Sequence, residues 1–440
     1  MKKLLLMLLL LFASFSLSSC KQKEKEPVYP TSDSDYLLLS KSEEPTKYIN
    51  TDEYKNFIYK LGEFSSDFSE KVYTRYNHKY DQMVISPISI YMALAMATGV
   101  AEEEAQIELS NMLGIPYDEI AEYTKYLYSN LNREYYDEED KLVYKAQLSN
   151  SIWLNDKLSY KQEGLELLKN SFYTDSYAAP FTTNNKSANK AVQDYVCRNT
   201  KGLINNEYSF DKDTLFLLIN TLYLKDTWSR AGKDLSFTNE TYDFKNKNNI
   251  VSNIKLLNGY YQSGKVQQGN GFEYFYTTTA NNLRMYFIKP TSRSIEDIYT
   301  GNNLNMIIND NNYNVYNHEL KEEYYTRCLF PEFNASFNED LVEVVKEEYG
   351  VSKIFRDKFA NFNKVTDELC FTTAIVHQTK LKVDKTGIEG AAVTIVAAGN
   401  SSAPSDEYRK VYSNFIIDES FGFMITYGNI ILFSGVVNNL

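Results

Sequence analysis

The run from Leu215 to Lys225 is the feature that most restricts how this chain can fold. Its sequence, Leu-Phe-Leu-Leu-Ile-Asn-Thr-Leu-Tyr-Leu-Lys, is apolar on both faces when side chains alternate between two sides, as they do in a strand. Such a strand is buried on both sides, which requires a sheet with covering layers. The chain has 440 residues, 43% of them hydrophobic, and can bury a core of that size.

Helical patterns occur before and after this run. From Asp52 onward, apolar residues three and four apart predict an amphipathic helix, and these are Phe57, Leu61, Phe64, Phe68 and Val72. Ser86 and Pro87 are typical of an N-cap and a first helical position. Other segments predict helices at 117–136, 161–172 and 189–204, strands at 143–154 and across 237–290, and a loop with some helix at 300–317.

The N-terminus predicts export. Two lysines after Met1 precede an apolar run from Leu4 to Leu17, which is shorter than a membrane span and typical of a signal peptide. The end of this run resembles a bacterial lipobox, which implies a signal peptide at 1–19 and a lipid on Cys20. Residues 20–51 are polar and predict a flexible tether to a domain at 52–440. We expect anchoring to a bacterial cell envelope, at the outer membrane or cell surface.

Charge and cysteine usage exclude several classes of partner and site. The net charge of −12 makes nucleic acid an unfavourable partner. Cys197, Cys328 and Cys370 lack CxxC spacing, so we expect buried free thiols or at most one bridge. No metal site, phosphate loop or cofactor motif is visible, and no metal or cofactor is expected.

A hydrolase would need a nucleophile and a base. The histidines are His78, His318 and His377, and the natural pair is Cys370 with His377. Seven positions along one strand would place these two side chains on opposite faces. On this argument we expect no catalytic residues and no enzymatic activity.

The stretch from Lys382 to Ser402 starts as a strand end and continues as small and β-branched residues, without a proline until Pro404. Gly387 lacks a Cβ atom and is able to act as a hinge. With a period of two, one face carries Ile388, Gly390, Ala392, Thr394, Val396 and Ala398, and the other Glu389, Ala391, Val393, Ile395 and Ala397. The first face has no charge, so its burial carries no charge penalty.

This stretch resembles the hinge and reactive-centre loop of the serpins, with matches at Gly387, Glu389, Ala391, Ala392 and Thr394. Lys385 replaces a usual acid and Ile388 a usual Thr or Ser. Other serpin-like segments follow in the family's order: the Ser-Pro-x-Ser-Ile helix at 84–99, Asn220, Thr221, Tyr223, Lys225 and Trp228, and segments at 199–204, 285–290, 329–337, 349–355, 377–383, 415–425 and 430–437. Asp226 replaces a usual Gly, and Ser420 a usual Pro.

The resemblance covers 52–438 and implies an α+β serpin fold. That fold has a mixed, mostly antiparallel central sheet, further β-sheets, surrounding helices and an exposed reactive-centre loop. It also implies an irreversible suicide-substrate inhibitor of serine proteases, with cysteine proteases as a further class. The protease would form an acyl-enzyme with the loop and be trapped when the loop inserts into the sheet. We expect a monomer.

Two positions for the reactive bond follow from the family's usual spacing. Counting on from Gly387 gives Ser401–Ser402, with Ala398 and Asn400 as neighbouring alternatives, which suits elastase-like or subtilisin-like proteases. Counting back from Phe415 gives Arg409–Lys410, which suits trypsin-like proteases. The family's hinge corresponds to Gly387, Ile388, Glu389, Gly390, Ala391, Ala392, Val393 and Thr394. The departures at Lys385 and Ile388 leave a second reading, a non-inhibitory serpin that acts as a surface binding or structural module.

Overall fold

The computed structural model describes residues 36–43, 54–136, 142–228, 233–291, 294–310, 313–356, 361–390 and 408–440. The helices within these ranges are α1 (Lys55–Tyr76), α2 (Pro87–Val100), α3 (Glu103–Leu113), α4 (Ile120–Leu131), α5 (Gln162–Phe172), α6 (Asn185–Asn199), α7 (Ile295–Ile298) and α8 (Asn303–Asn309). None of these described helices is long and apolar enough to cross a membrane.

The described strands follow in chain order. They are β1 (Leu37–Ser40), β2 (Gln82–Ile85), β3 (Arg133–Tyr136), β4 (Leu142–Asn155), β5 (Thr174–Ala179), β6 (Phe216–Thr227), β7 (Tyr242–Lys245), β8 (Val251–Ile254), β9 (Leu257–Ser263), β10 (Gln267–Gln268), β11 (Phe272–Thr278), β12 (Arg284–Pro290), β13 (Tyr316–Asn317), β14 (Glu322–Phe330), β15 (Phe333–Asp340), β16 (Val376–Val383), β17 (Gly387–Gly390), β18 (Arg409–Ile416), β19 (Phe421–Tyr427) and β20 (Ile430–Val437).

A mixed central sheet organises the molecule. Its described strands lie in the order β1-β5-β4-β6-β17-β16-β15, with β3 added beside β4. Only β4 and β5 run parallel among the described pairs of this sheet, and the others are antiparallel. The predicted central strand is β6, and the expected α+β class with a mixed, mostly antiparallel central sheet is confirmed.

The two helices with the clearest sequence signals form as expected. All five residues of the α1 pattern are buried. Before α2, the Ser86 hydroxyl accepts a hydrogen bond from the Ser89 backbone N–H at 3.4 Å, and Pro87 takes the first helical position. Because α2 is buried around most of its surface and packs against β6 and β20, it joins the central sheet to the second sheet.

The second sheet has the described strand order β10-β11-β12-β19-β20-β2. A third sheet holds β13, β14 and β18, with β9 paired to β14, and β18 runs parallel to β14. The serpin-like segment 415–425, which resembles one of the family's two closing strands, is divided between β18 and β19, and these belong to two different sheets. Ser420 lies at the crossing, and its hydroxyl donates to the Asn438 carbonyl at 2.9 Å.

The helix predicted at 117–136 is too long. α4 ends at Leu131, and residues 133–136 form β3 instead. Asn132 causes the change, because its side-chain amide binds the Leu148 backbone of β4 in both directions. Its Nδ2 donates to the Leu148 carbonyl at 3.1 Å, and its Oδ1 accepts from the Leu148 N–H at 2.7 Å.

Part of the segment predicted as a tether, residues 20–51, is a strand in the structure. β1, which lies within 20–51, pairs with β5 at the edge of the central sheet. Tyr36 packs against Trp153 with the ring centroids 5.9 Å apart, and Lys41 forms an ion pair with Asp175 at 2.5 Å. A segment with too few apolar residues to fold alone is ordered here because an existing strand supplies its hydrogen-bond partners.

The cysteines among the described residues, Cys197, Cys328 and Cys370, are buried and free, as expected. Burial raises the pKa of the Cys370 thiol to about 11, so this thiol is protonated at neutral pH.

Candidate functional site

A tight hairpin at the end of the central sheet joins β16 to β17. Lys382 pairs with Glu389 and Val383 pairs with Ile388 across the hairpin. On its other side, β17 pairs antiparallel with β6, from Gly387 opposite Thr227 to Gly390 opposite Leu224. β17 therefore lies between β16 and β6, with two of its residues paired to β16 and four paired to β6.

The turn of this hairpin is held by Asp384. Its Oδ1 accepts the Thr386 backbone N–H at 2.8 Å, and its Oδ2 lies 2.6 Å from the Lys382 ammonium. Burial alone would raise the pKa of Asp384, but these hydrogen bonds outweigh it and lower that pKa. Trp228 donates its indole N–H to the Asp384 carbonyl at 2.6 Å, which fixes the turn against β6.

Lys385, which departs from the serpin pattern, also holds the turn. Its ammonium lies 2.8 Å from Asp234, and its backbone N–H donates to Glu332 at 2.9 Å. Its carbonyl accepts the Leu235 N–H at 2.7 Å. The side chain that replaces an acid is thus an anchor on the surface of the domain.

The two residues after Gly387 face opposite sides of the sheet. Ile388 is 1% exposed, whereas Glu389 is partly exposed and accepts a hydrogen bond from the Tyr223 hydroxyl at 2.9 Å. The alternation places the apolar side chain in the core and the charged one outward.

Asp226 is a carboxyl buried beneath the hairpin, at 1% exposure, and it pairs with Ile388 in the β6–β17 ladder. Its Oδ1 accepts from the Thr227 N–H at 2.8 Å and from the Asn281 amide at 2.8 Å. Among the described residues, no group forms a hydrogen bond with its Oδ2. Burial raises the pKa of Asp226 to about 7, and hydrogen bonds from Thr279, Asn281 and Thr227 oppose the rise.

Beyond Gly390, the described residues leave a gap in the central sheet between β6 and β16. In the described part of the chain, β6 from Phe216 to Tyr223 pairs only with β4, and β16 from Val376 to Leu381 pairs only with β15. A cavity of about 110 Å³ lies between these two strand segments and the start of α2. Several residues of β6 here are only half-buried, so the prediction of burial on both faces fails along this part of the strand.

A polar layer crosses the floor of the gap. The Ser86 N–H donates to His377 Nε2 at 3.1 Å, and the Ser89 hydroxyl donates to Asn220 Oδ1. The Asn220 amide in turn donates to Asn150 Oδ1 at 2.7 Å. Burial lowers the pKa of His377 to about 3, so the ring is neutral and accepts at Nε2. The layer connects α2 to both strands that border the gap.

The argument that excluded enzymatic activity is wrong, because it assumed that Cys370 and His377 lie on one strand. Cys370 lies before β16, which begins at Val376, so Cys370 and His377 do not share a strand and their faces cannot be compared by counting. The expectation that the chain is not an enzyme thereby loses its argument. What bears on the question is the family match reported below, which describes an inhibitor.

The predicted reactive-bond residues fall in different parts of the chain. Arg409 and Lys410 lie in β18, opposite Glu322 and Glu323 of β14, and the Arg409 N–H donates to the Lys321 carbonyl at 2.8 Å. The other reactive-bond residues, the rest of the hinge and the lipidation residue lie outside the described residues: Ala398, Asn400, Ser401, Ser402, Ala391, Ala392, Val393, Thr394 and Cys20. No group of three or more metal-ligating side chains occurs within the described ranges.

Sequence reasoning missed the residues that hold the site together. Asp384, Tyr223 and Asn220 were not assigned a role, and Asp226 was noted only as a replacement for Gly. Tyr223, Asn220 and Trp228 belong to the Asn-Thr-x-Tyr-x-Lys-x-x-Trp pattern, so that pattern was the available signal. Its polar members lie on both faces of β6, because Asn220 contacts Ser89 of α2 and Tyr223 contacts Glu389 of β17.

Comparison with known proteins agrees with this geometry. A family profile described as "Serpin (serine protease inhibitor)" matches residues 63–440. Serine protease inhibitor 42Dd of Drosophila melanogaster is 24% identical over 366 residues, which are 82% of this chain and 92% of that protein.

Solved structures show the same fold. The native-state structure of tengpin, a thermophilic serpin, has a TM-score of 0.69 at 20% identity, covering 92% of this chain and 100% of that one. Human thyroxine-binding globulin in complex with its ligand has a TM-score of 0.66 at 18% identity, covering 87% of this chain and 99% of that one.

Proposed function

The chain belongs to the serpin family, and on that premise we propose that it traps serine proteases by inserting its cleaved loop into the central sheet. Membership supports protease inhibition in general. The observation that supports the finer mechanism is the insertion of β17 between β6 and β16, at one end of the gap that the described residues leave between these strands. Along the rest of that gap, no described strand pairs with the facing edges of β6 and β16.

The register of β17 predicts where the loop would go. Continued antiparallel pairing would place Ala392 opposite Leu222 and Thr379, and Thr394 opposite Asn220 and His377. Directly opposite residues in a sheet share a face. Thr394 would therefore meet the polar layer, where a hydroxyl finds hydrogen-bond partners, while Val396 would meet the apolar Leu218 and Ile375.

The same register supports Ser401–Ser402 as the reactive bond. Continued pairing reaches the first residue of β6, Phe216, at Ala398, so Ser401 would lie just beyond the far end of the sheet. Arg409 and Lys410 are already paired in β18, and a protease would have to detach them before cleavage. We therefore favour elastase-like or subtilisin-like targets over trypsin-like ones.

Simple energetics makes the trap feasible. About fourteen strand residues at roughly 3.3 Å each span on the order of 45 Å, which is enough to carry an acyl-linked protease along the sheet. At about 1 kcal/mol of net hydrogen bonding per residue, insertion would release roughly 10 kcal/mol or more. Such an energy can distort a protease active site before water hydrolyses the acyl-enzyme.

The test is to mix the full chain with a panel of serine proteases and to look for a covalent complex that survives detergent. A productive protease should release one C-terminal fragment that begins at Ser402, and the nicked chain should resist heat better than the intact one. Cleavage of the loop without any complex, together with equal heat resistance, would contradict the proposal.

One observation favours the second reading, a non-inhibitory serpin that acts as a surface binding or structural module. Lys385 is fixed by Asp234 and Glu332, and this anchoring opposes movement of the hinge turn. Thyroxine-binding globulin shows that the fold occurs in a ligand complex. The protease panel separates the two readings, because a chain that is only cleaved is not a trap.

For the segments outside the described residues, we propose the arrangement expected from the sequence. A signal peptide at 1–19 would be removed, and a lipid on Cys20 would hold the protein on a bacterial envelope through a tether that ends before β1. Metabolic labelling with a radioactive fatty acid, lost in Cys20→Ala, tests the anchor.

A further inference from the structure

The outer face of the third sheet carries three aromatic rings, of which Tyr412 contacts the other two. Tyr325 of β14 and Tyr412 of β18 are register partners, and their rings stack with centroids 5.5 Å apart. Tyr412 also meets Tyr261 of β9 edge-on at 5.0 Å. Tyr412 is 56% exposed and Tyr261 41% exposed. We call Tyr261, Tyr325 and Tyr412 the tyrosine platform.

Each end of the tyrosine platform carries a cation. The Lys410 ammonium lies 5.5 Å from the Tyr325 ring centroid, and the Arg327 guanidinium lies 5.2 Å from that of Tyr261. Arg327 is fixed further because its Nε donates to Asn414 Oδ1 at 2.8 Å. The Tyr325 hydroxyl donates to Glu323 at 2.8 Å. Rings and cations thus hold one another in place before any partner binds.

Folding does not account for this arrangement, because exposed rings bury little surface. Contiguous exposed apolar area on a folded protein marks a binding surface. Tyrosine and arginine are the residues enriched at the centres of protein–protein interfaces, and side chains that are already fixed lose little entropy on binding. The chemistry therefore indicates a protein partner with an apolar patch bordered by carboxylates.

The tyrosine platform lies beside the end of the predicted reactive-centre loop. The described chain resumes at Tyr408, whose hydroxyl lies 2.6 Å from His318 Nδ1 and whose ring packs on Tyr316 at 5.3 Å. Lys410 and Tyr412 follow at once in β18. From Ser401 to Tyr408 the chain spans at most about 25 Å. A protease domain is roughly 30 Å or more across, so one bound at Ser401 is large enough to reach the tyrosine platform.

We propose that the tyrosine platform is a second contact surface for the protease that attacks the loop, and that it raises the rate of the encounter. This inference rests on the proposed function and names the part of the inhibitor that selects among proteases able to cleave the same loop. Recognition requires an apolar surface with acidic neighbours close to the protease active site.

The experiment compares the full chain with Tyr412→Ala and with Tyr117→Ala as a matched control. Tyr117 is similarly exposed, at 52%, but belongs to the connection between α3 and α4. For the protease that forms a complex most rapidly, we expect the second-order rate of complex formation to fall about ten-fold in Tyr412→Ala and to stay unchanged in Tyr117→Ala. The proportion of complex to cleaved chain should not change, because loop insertion is untouched.

The outcomes separate this inference from the proposed function. If the parent forms the complex and Tyr412→Ala does so at the same rate, the platform proposal is overturned and the inhibitor function stands. If the parent forms no complex with any protease, both are overturned. If sedimentation shows that the parent self-associates and Tyr412→Ala does not, the surface joins two copies of the chain and the proposal is likewise overturned. A midpoint of thermal unfolding equal to that of the parent confirms that Tyr412→Ala folds.

Discussion

A Cβ atom on Gly387 would lie 2.0 Å from the carbonyl oxygen of Asp226. No real side chain tolerates that distance, so the absence of a side chain at this position is what allows β17 to enter beside β6. The hinge and the strand that receives it are therefore matched at one backbone contact. Because the neighbour is a backbone atom rather than a flexible side chain, it cannot move aside without shifting β6.

Replacing Gly387 with valine should displace β17 from the sheet. We expect the free energy of unfolding to fall by about 1 to 3 kcal/mol, as for other overpacked sites, and the fraction of cleaved, uncomplexed chain to rise. Urea unfolding and a protease titration measure the two effects. Thr386→Val is the matched control, because Thr386 is exposed in the same turn. If the two variants have the same free energy of unfolding and the same fraction of cleaved chain, the close approach of Gly387 to Asp226 is not what keeps β17 in the sheet.

Asp226 should make the protein less stable as the pH rises. Its pKa is about 7 in the folded chain and near 3.8 when unfolded, so between these values the folded state holds a proton that the unfolded state has lost. From pH 5 to pH 8 this group alone removes about 3 kcal/mol of stability. Asp226→Asn should abolish that decline in urea unfolding. The variant keeps a side-chain oxygen that accepts hydrogen bonds from Asn281 and Thr227. If its stability declines with pH as much as that of the parent, Asp226 is not the titrating group.

His377 should act in the opposite direction. Burial lowers its folded pKa to about 3, whereas the unfolded value is 6.5, so acid protonates the unfolded chain first. Stability is complete above pH 6.5 and should fall by about 2 kcal/mol at pH 5. His377→Gln keeps an acceptor for the Ser86 N–H and should lose this dependence. Urea unfolding at pH 5.0 and 6.5 measures the free energy of unfolding of both proteins. If it falls equally with pH in the parent and in His377→Gln, His377 is not the group responsible.

Local signals in the sequence predicted the elements that depend on near neighbours. The α1 spacing, the Ser86–Pro87 start of α2 and the apolar run of β6 all specify structure within a few residues. The sequence could not show where the sheet opens, because β6 looks equally apolar along its length. Several residues of its first half are half-buried, and there the described residues pair β6 with β4 alone, an arrangement that depends on segments far apart in the chain.

Sites that combine distant segments were missed for the same reason. The properties of Asp226 depend on Asn281, and the tyrosine platform needs β9, β14 and β18 to lie side by side. In a predicted strand, a tyrosine that packs half-buried against its neighbours has the same sequence pattern as one on an exposed binding surface. Only the register showed that Tyr325 and Tyr412 are partners with their rings on the open face.

The register of β17 gives the sharpest test of loop insertion. Ala392 would face inward, opposite Leu222 and Thr379, whereas Ala391 would face outward, opposite the exposed Lys380. An arginine at 392 would bury an unpaired charge at a cost of several kcal/mol, so cleavage should outrun insertion. We expect Ala392→Arg to yield mostly cleaved chain and Ala391→Arg to yield mostly complex, measured by denaturing electrophoresis with the same protease. If Ala392→Arg traps the protease as well as Ala391→Arg does, the loop does not insert in this register.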